Sequence, residues 1–171
     1  MVRRVMNPRD LRIGFAAVSF EEDCSIAEHA IRAWAAGDVQ RVLNVMHPDI
    51  IFLVNVDGIR VPWAASSYGR EDVEFRITLV LTTFWIERFA LRRIVSGPDF
   101  STASVHGVYR HKNTGEVLDV MLRFNFWTAN NMLTRIEEFV DGPYLEAYDR
   151  FVRHIQMLAN SDHDSGIAPF K

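Results

Sequence analysis

The chain contains a single cysteine, Cys24, among 171 residues, which excludes an internal disulfide framework and fits a reducing compartment. Long apolar runs are also missing. The longest, Ile50 to Val54, falls far short of the roughly 20 residues that a membrane helix needs. The basic opening MVRR is followed by Pro8, Arg9, Asp10 and Arg12 rather than by an apolar stretch, so no signal peptide and a cytoplasmic location are expected. Charge of one sign is scarce: 19 basic residues face 22 acidic ones, a net charge of -3, which lacks the broad basic field of a dedicated nucleic-acid binder. Spacings of the HExxH, paired-cysteine or EF-hand type are absent, as is a glycine-rich phosphate loop, so neither metal nor cofactor is expected. His106 and His111 stand five apart, on opposite faces of one strand, and cannot share an ion. Asp162-His163-Asp164 lies in the tail, and Cys24 has no identifiable base beside it.

What is present is ordinary globular material, 49% hydrophobic and 24% charged, in a length suited to one domain. Such a chain buries roughly 70% of its unfolded surface, enough for a core with a pocket inside it. The reading divides it into an N-terminal arm over 1–22, a single domain over 23–159 and a loose tail over 160–171.

The first helical signal is Ser25-Ile-Ala-Glu28, a capping box that satisfies the free amides of a helix start. Ala27, Ile31 and Trp34 recur at helical spacing, and Gly37 is placed to end the helix. Asp38 can cap a second helix burying Val39, Val42, Leu43 and Met46, with His47-Pro48-Asp49 as its stop. Residues 50–56 are apolar and β-branched on both faces and read as a strand covered on two sides. After a loop containing Gly58, Pro62, Trp63 and Tyr68, a third helix carries Val73, Ile77, Val80, Leu81 and Phe84. Strands are predicted at 86–96, 100–111, 116–127 and 132–140, joined by short turns as an antiparallel meander. Asp141-Gly142-Pro143 ends the sheet, and Tyr144, Tyr148, Phe151, Val152, Ile155 and Leu158 mark a last helix. The order implies an α+β fold, with helices on one side of a curved antiparallel sheet and a cavity between them.

Several segments carry a resemblance: AWAAGDVQRVLNVMHPDIIF, SYGREDV, the KNTGEV turn and LTRIEEFVDGPYLEAY. With them the chain resembles the nuclear-transport-factor-two-like superfamily, especially SnoaL-like polyketide cyclases, ketosteroid isomerases and limonene epoxide hydrolases. The resemblance implies a cystatin-like cone, a sheet wrapped around the N-terminal helices. It also implies cofactor-independent acid–base chemistry on a small apolar molecule. In the epoxide-hydrolase register, the water-holding amide falls on Asn55 and the general base on Glu138. The phenol falls on Leu53, and the arginine and aspartate on Val105 and Gly107, which argues against epoxide hydrolysis. In the ketosteroid-isomerase register the tyrosine falls on Ala30 and the aspartate on Val54 or Asn55, which argues against steroid isomerisation.

Glu138 shares a strand face with Thr134, Ile136 and Val140, where the register places the cavity. A carboxylate in such surroundings has a raised pKa and suits proton transfer near neutrality. Otherwise an arginine such as Arg93 satisfies it, or it reaches solvent at the sheet end. Asn55 is expected either to orient a water opposite Glu138 or to tie down the 57–68 loop. Trp63 and Tyr68 form a lid or plug a core. Leu53, Val105, Tyr109, Val120, Leu122, Phe124, Ile136 and Val140 complete the expected pocket. Leu118, Val120, Leu122, Phe124 and Phe126 form its wall. On the reverse of that strand, Asp119, Met121, Arg123, Asn125 and Trp127 suit a homodimer interface, with Asp119 and Arg123 as a neighbouring pair; with the faces reversed, Asp119 is a second buried acid. Asp141 is placed to cap the last helix.

Two functions follow: an enzyme using Glu138, or a non-catalytic module that binds a hydrophobic ligand or dimerises. A closed cavity with Glu138 paired to arginine favours the second. An open cavity with an unpaired Glu138 favours the first.

Overall fold

The computed structural model describes residues 20–164, with side chains from 26 to 161. The arm therefore lies outside the described residues except for its last three, which are already helical. Helix α1 spans Phe20–Ala35, so it starts before the Ser25 capping box, which falls inside the helix. Gly37 ends it at φ 69°, a conformation that costs glycine little. Helix α2, Val39–Asn44, is capped by Asp38, whose carboxylate accepts from the Arg41 amide at 3.1 Å.

Strand β1 then covers Met46–Val54, four residues ahead of the predicted start and two short of the predicted end. The helix is cut short because the sheet captures the chain: the Leu133 amide donates to Val45 O at 2.8 Å. Pro48 is tolerated within the strand because it is exposed, in a stretch where the register shifts between Met46 and Ile51. A 3₁₀ turn over Pro62–Ala64 and a two-residue strand β2, Ser67–Tyr68, lead to helix α3, Arg70–Thr83. Phe84, expected on that helix, is the first residue of β3.

The meander follows as β3 (Phe84–Ser96), β4 (Ser101–His111), β5 (Val117–Ala129) and β6 (Met132–Phe139). Asn130 and Asn131 make the tight turn between β5 and β6 at φ 51° and 58°, which asparagine accepts more readily than most residues. The sheet order is β2-β1-β6-β5-β4-β3. All pairs are antiparallel but one. β1 runs parallel to β6, with Val54 opposite Glu138, so the sheet is mixed where an antiparallel one was expected. A parallel pair needs a long crossover, and the chain between β1 and β6 supplies it.

α1 lies against β3 and α3 against β1, placing the core between these helices and one sheet face. Helix α4, Gly142–Asp164, is preceded by Asp141, whose carboxylate accepts from the Tyr144 amide at 3.1 Å. It continues through 160–164, which the sequence reading assigned to a loose tail. Leu145, Tyr148 and Val152 are its buried stripe, while Tyr144, Phe151 and Leu158 remain exposed. Polar bonds hold it to the body, among them Trp63 Nε1 to Asp149 at 2.9 Å and Tyr148 OH to Glu116 O at 2.9 Å. No helix among the described residues is long and apolar enough to cross a membrane.

Candidate functional site

Strand alternation on β5 sends Leu118, Val120, Leu122, Phe124 and Phe126 to the helix side of the sheet. Together with Ile31 and Trp34 of α1, Ile77 and Val80 of α3, and Leu145 of α4, they line a cavity of about 120 Å³. Its wall is almost wholly apolar. The exceptions are Arg76 from α3, Tyr109 from β4, Glu138 from β6 and the indoles of Trp34 and Trp63.

Glu138 sits on β6 between Phe124 of β5 and Val54 of β1. Its side chain is 19% exposed and lines the cavity. Its carboxylate makes no hydrogen bond among the described residues. The Arg76 Nη2 atom lies 3.8 Å from Oε2, an ion pair too long to be a hydrogen bond. Burial pushes the Glu138 carboxyl above the ordinary carboxylate range, and Arg76 pulls it back in part.

Arg76 is held from its other sides. Nη1 donates to Ala65 O at 2.8 Å, and the guanidinium carbon stands 3.7 Å from the centre of the Phe52 ring. Burial lowers its pKa and Glu138 opposes that in part; a guanidinium keeps its charge in proteins. The Tyr109 hydroxyl accepts from Trp34 Nε1 at 3.4 Å. Its own proton has no acceptor among the described residues, and burial holds its pKa well above the usual tyrosine value. Tyr109 can lie where it does because position 107 is glycine: a Cβ there would stand 2.8 Å from Tyr109 Cε2. A fixed cation, a free hydroxyl donor and an unbonded carboxylate thus share one apolar chamber. That set can move a proton and hold an oxygen that gains charge.

Of the residues singled out in the sequence, Trp63, Tyr109, Val120, Leu122, Phe124, Ile136, Glu138 and Val140 line the cavity. Asn55 does not. Its carboxamide is used twice on the backbone just past β6: Nδ2 donates to Val140 O at 3.0 Å, and Oδ1 accepts from Val140 N at 2.9 Å. It is a clamp on the strand end, neither a water holder nor an anchor for the 57–68 loop. Leu53 is paired with Glu137 on the far side of the sheet, because side chains alternate and Phe52 and Val54 take the core side. Tyr68, on the edge strand β2, is 67% exposed and is not part of the cavity wall. Val105 faces inward but is fully buried between Leu91 and Leu122, sealed from the chamber.

The partner of Glu138 is Arg76, not Arg93, which is exposed on β3. The sequence held a signal for it, since Arg76 shares the three- and four-residue steps of Val73, Ile77 and Val80. Outside, Asp119 binds His106 Nε2 at 2.7 Å rather than Arg123, which stacks on Phe139 at 4.5 Å. Among the described residues no group of three His, Cys, Asp or Glu is placed to hold a metal.

No protein-family model matches the sequence, and no curated protein does. Solved structures resemble it strongly. TerC, crystallised with polyporic acid, superposes with a TM-score of 0.67 at 14% identity, over 75% of this chain and 98% of its own. An NTF2-like protein from Burkholderia xenovorans gives 0.64 at 19% identity, over 74% and 95%. A protein of ketosteroid isomerase-like fold from Catenulispora acidiphila, in complex with trimethylamine, gives 0.57 at 12%, over 66% and 82%. The chain has the nuclear-transport-factor-two-like cone fold, an α+β layer of helices over a curved, unclosed mixed sheet. At these identities the likeness speaks for architecture and leaves chemistry to the site.

Proposed function

We propose that this protein is a cofactor-independent enzyme acting on a small, largely apolar molecule by general acid–base chemistry, with Glu138 as the proton carrier. The observation that carries the reading is a carboxylate without a hydrogen bond, facing an apolar chamber. Such a group keeps its lone pairs for a ligand, and its raised proton affinity suits both accepting and returning a proton near neutrality. Isomerisation, cyclisation, dehydration and hydrolysis all use such a step. The chamber, about 120 Å³, is of the order of the roughly 150 Å³ engineered cavity that takes one benzene, which suits a small substrate. The polyporic acid co-crystallised with TerC and the trimethylamine in complex with the Catenulispora protein support a ligand-holding use of this fold. Replacing Glu138→Gln is expected to lower turnover about 10²- to 10⁴-fold while the thermal transition persists. Wild-type turnover by that variant overturns the role.

The Arg76–Glu138 ion pair favours a second reading, a non-catalytic pocket for a hydrophobic ligand. In that case a molecule recovered from the chamber after prolonged incubation is chemically unchanged. The outer sheet face supports a homodimer as its assembly: Met121 is 58% exposed there, among Arg123 on Phe139 and Arg135 on Trp127.

A further inference from the structure

The chamber wall carries two charges of opposite sign, Arg76 from α3 and Glu138 from β6, and one phenolic hydroxyl, Tyr109 from β4. The faces turned to it by α1, α2, β1, the 3₁₀ turn, β3, β5 and α4 carry no charge. Asp72 acts on Arg76 from the same helix, outside the wall. Arg76 is the immobile member, fixed by Ala65 O and the Phe52 ring. Glu138 is the replaceable one: its contact with the guanidinium is 3.8 Å, so another oxyanion can approach Nη2 without a hydrogen bond being broken. An uncompensated charge in an apolar interior costs several kcal/mol by general reckoning. The cation must therefore be balanced in one of two ways, by the Glu138 carboxylate or by an anionic ligand with Glu138 protonated.

We propose that Arg76 is a counterion passed between Glu138 and the ligand: the chamber binds a one-ring organic oxyanion on Arg76 and the Tyr109 hydroxyl, and Glu138 takes up one proton for each anion bound. The inference rests on the proton-carrying role of Glu138 and deepens it by naming the substrate class, a neutral oxygen compound whose conjugate base is an oxyanion. In the forward step the substrate's bond to hydrogen breaks and its electron pair stays on the substrate, delocalised to the oxygen against Arg76. The proton forms a new O–H bond on Glu138. The chamber's net charge is the same before and after. In the return step Glu138 gives that proton back, at the original atom or another. Burial, which raises the proton affinity of Glu138, works in the same direction.

The test is calorimetric titration of the full chain with benzoate, and with benzamide as its uncharged counterpart, from about pH 5 to about pH 8. Two buffers of different ionisation enthalpy count the protons. As pH rises Glu138 becomes the carboxylate and competes for Arg76, so benzoate affinity should fall by about tenfold per pH unit above its titration. Uptake there should approach one proton per benzoate, while benzamide binding stays level. In Glu138→Gln the dependence should flatten, and benzoate should bind at least about tenfold tighter than to wild type near pH 8, because Arg76 then has no internal partner. Level benzoate affinity and no proton uptake in wild type overturn the proposal, as does benzoate binding no tighter than benzamide at low pH, or no benzoate binding at all. These wild-type measurements stand even if the variant fails to fold. The outcome is separable from the enzymatic reading. Lost turnover in Glu138→Gln with pH-independent benzoate binding keeps the base and removes the counterion, and the reverse keeps the counterion and removes the base.

Discussion

The two faces of one strand, β5, hold opposite solutions to the problem of charge. Toward the outside, Asp119 meets His106 at 2.7 Å, and neighbouring strands add Arg110 with Glu87 at 2.6 Å and Arg135 with Glu137 at 2.5 Å. Toward the helices, the ion pair closest to β5, between Arg76 and Glu138, is left at 3.8 Å. Water explains the difference. Outside, it makes contact cheap and of little net worth, about 0–1 kcal/mol per pair. Inside, apolar Phe124, Ile136 and Val140 take much of its place, and among the described residues no protein donor hydrogen-bonds the carboxylate. Tight pairing thus marks the face with little at stake, and loose pairing marks the face where chemistry is possible.

The sharpest way to break that contrast is to truncate adjacent residues of β5. Leu122→Ala, in the chamber wall, is expected to cost about 2–5 kcal/mol in urea unfolding, through lost transfer energy and an enlarged void. Met121→Ala, one residue away and outward, should stay within about 0.5 kcal/mol. Equal losses would mean that the two faces do not differ as described. A smaller effect tests the parallel seam. Asn55→Ala removes both bonds to Val140 and should lower stability by about 1–3 kcal/mol in the same assay, without the large drop in turnover expected for Glu138→Gln. Smallest for folding is Met121→Glu, which should leave the transition within about 0.5 kcal/mol while halving the mass seen by sedimentation. A wild-type chain that already sediments at the single-chain mass rejects the dimer.

The meander was legible because its signals are local. Each strand end lies within two residues of its predicted place, since the turn residues at 97–99, 112–115 and 128–131 punctuate a period-two pattern. The same period separated the two faces of β5, but which of them turns inward was left open until the structure put Leu118, Val120, Leu122, Phe124 and Phe126 on the cavity. The parallel pairing of β1 with β6 was not legible, because it joins segments some eighty residues apart and leaves no mark on either alone. That pairing also explains the early end of α2 and the use of Asn55, whose amide replaces missing strand bonds just past Val54. Glu138 could be named from strand alternation together with the resemblance. Its partner was missed because an arginine among Val73, Ile77 and Val80 reads as the edge of an apolar stripe, when α3 in fact delivers it into the chamber.

Gly107 contributes no side chain, yet it sets where Tyr109 can lie. A single methyl on its α-carbon would strike the phenol ring at 2.8 Å and crowd Leu122 Cδ1 at 3.4 Å. The ring would have to tilt, carrying its oxygen away from the Trp34 indole and the rest of the polar trio. One missing carbon atom on β4 therefore acts as a spacer, and filling it would reset the reach of the hydroxyl without touching any group that donates, accepts or carries charge.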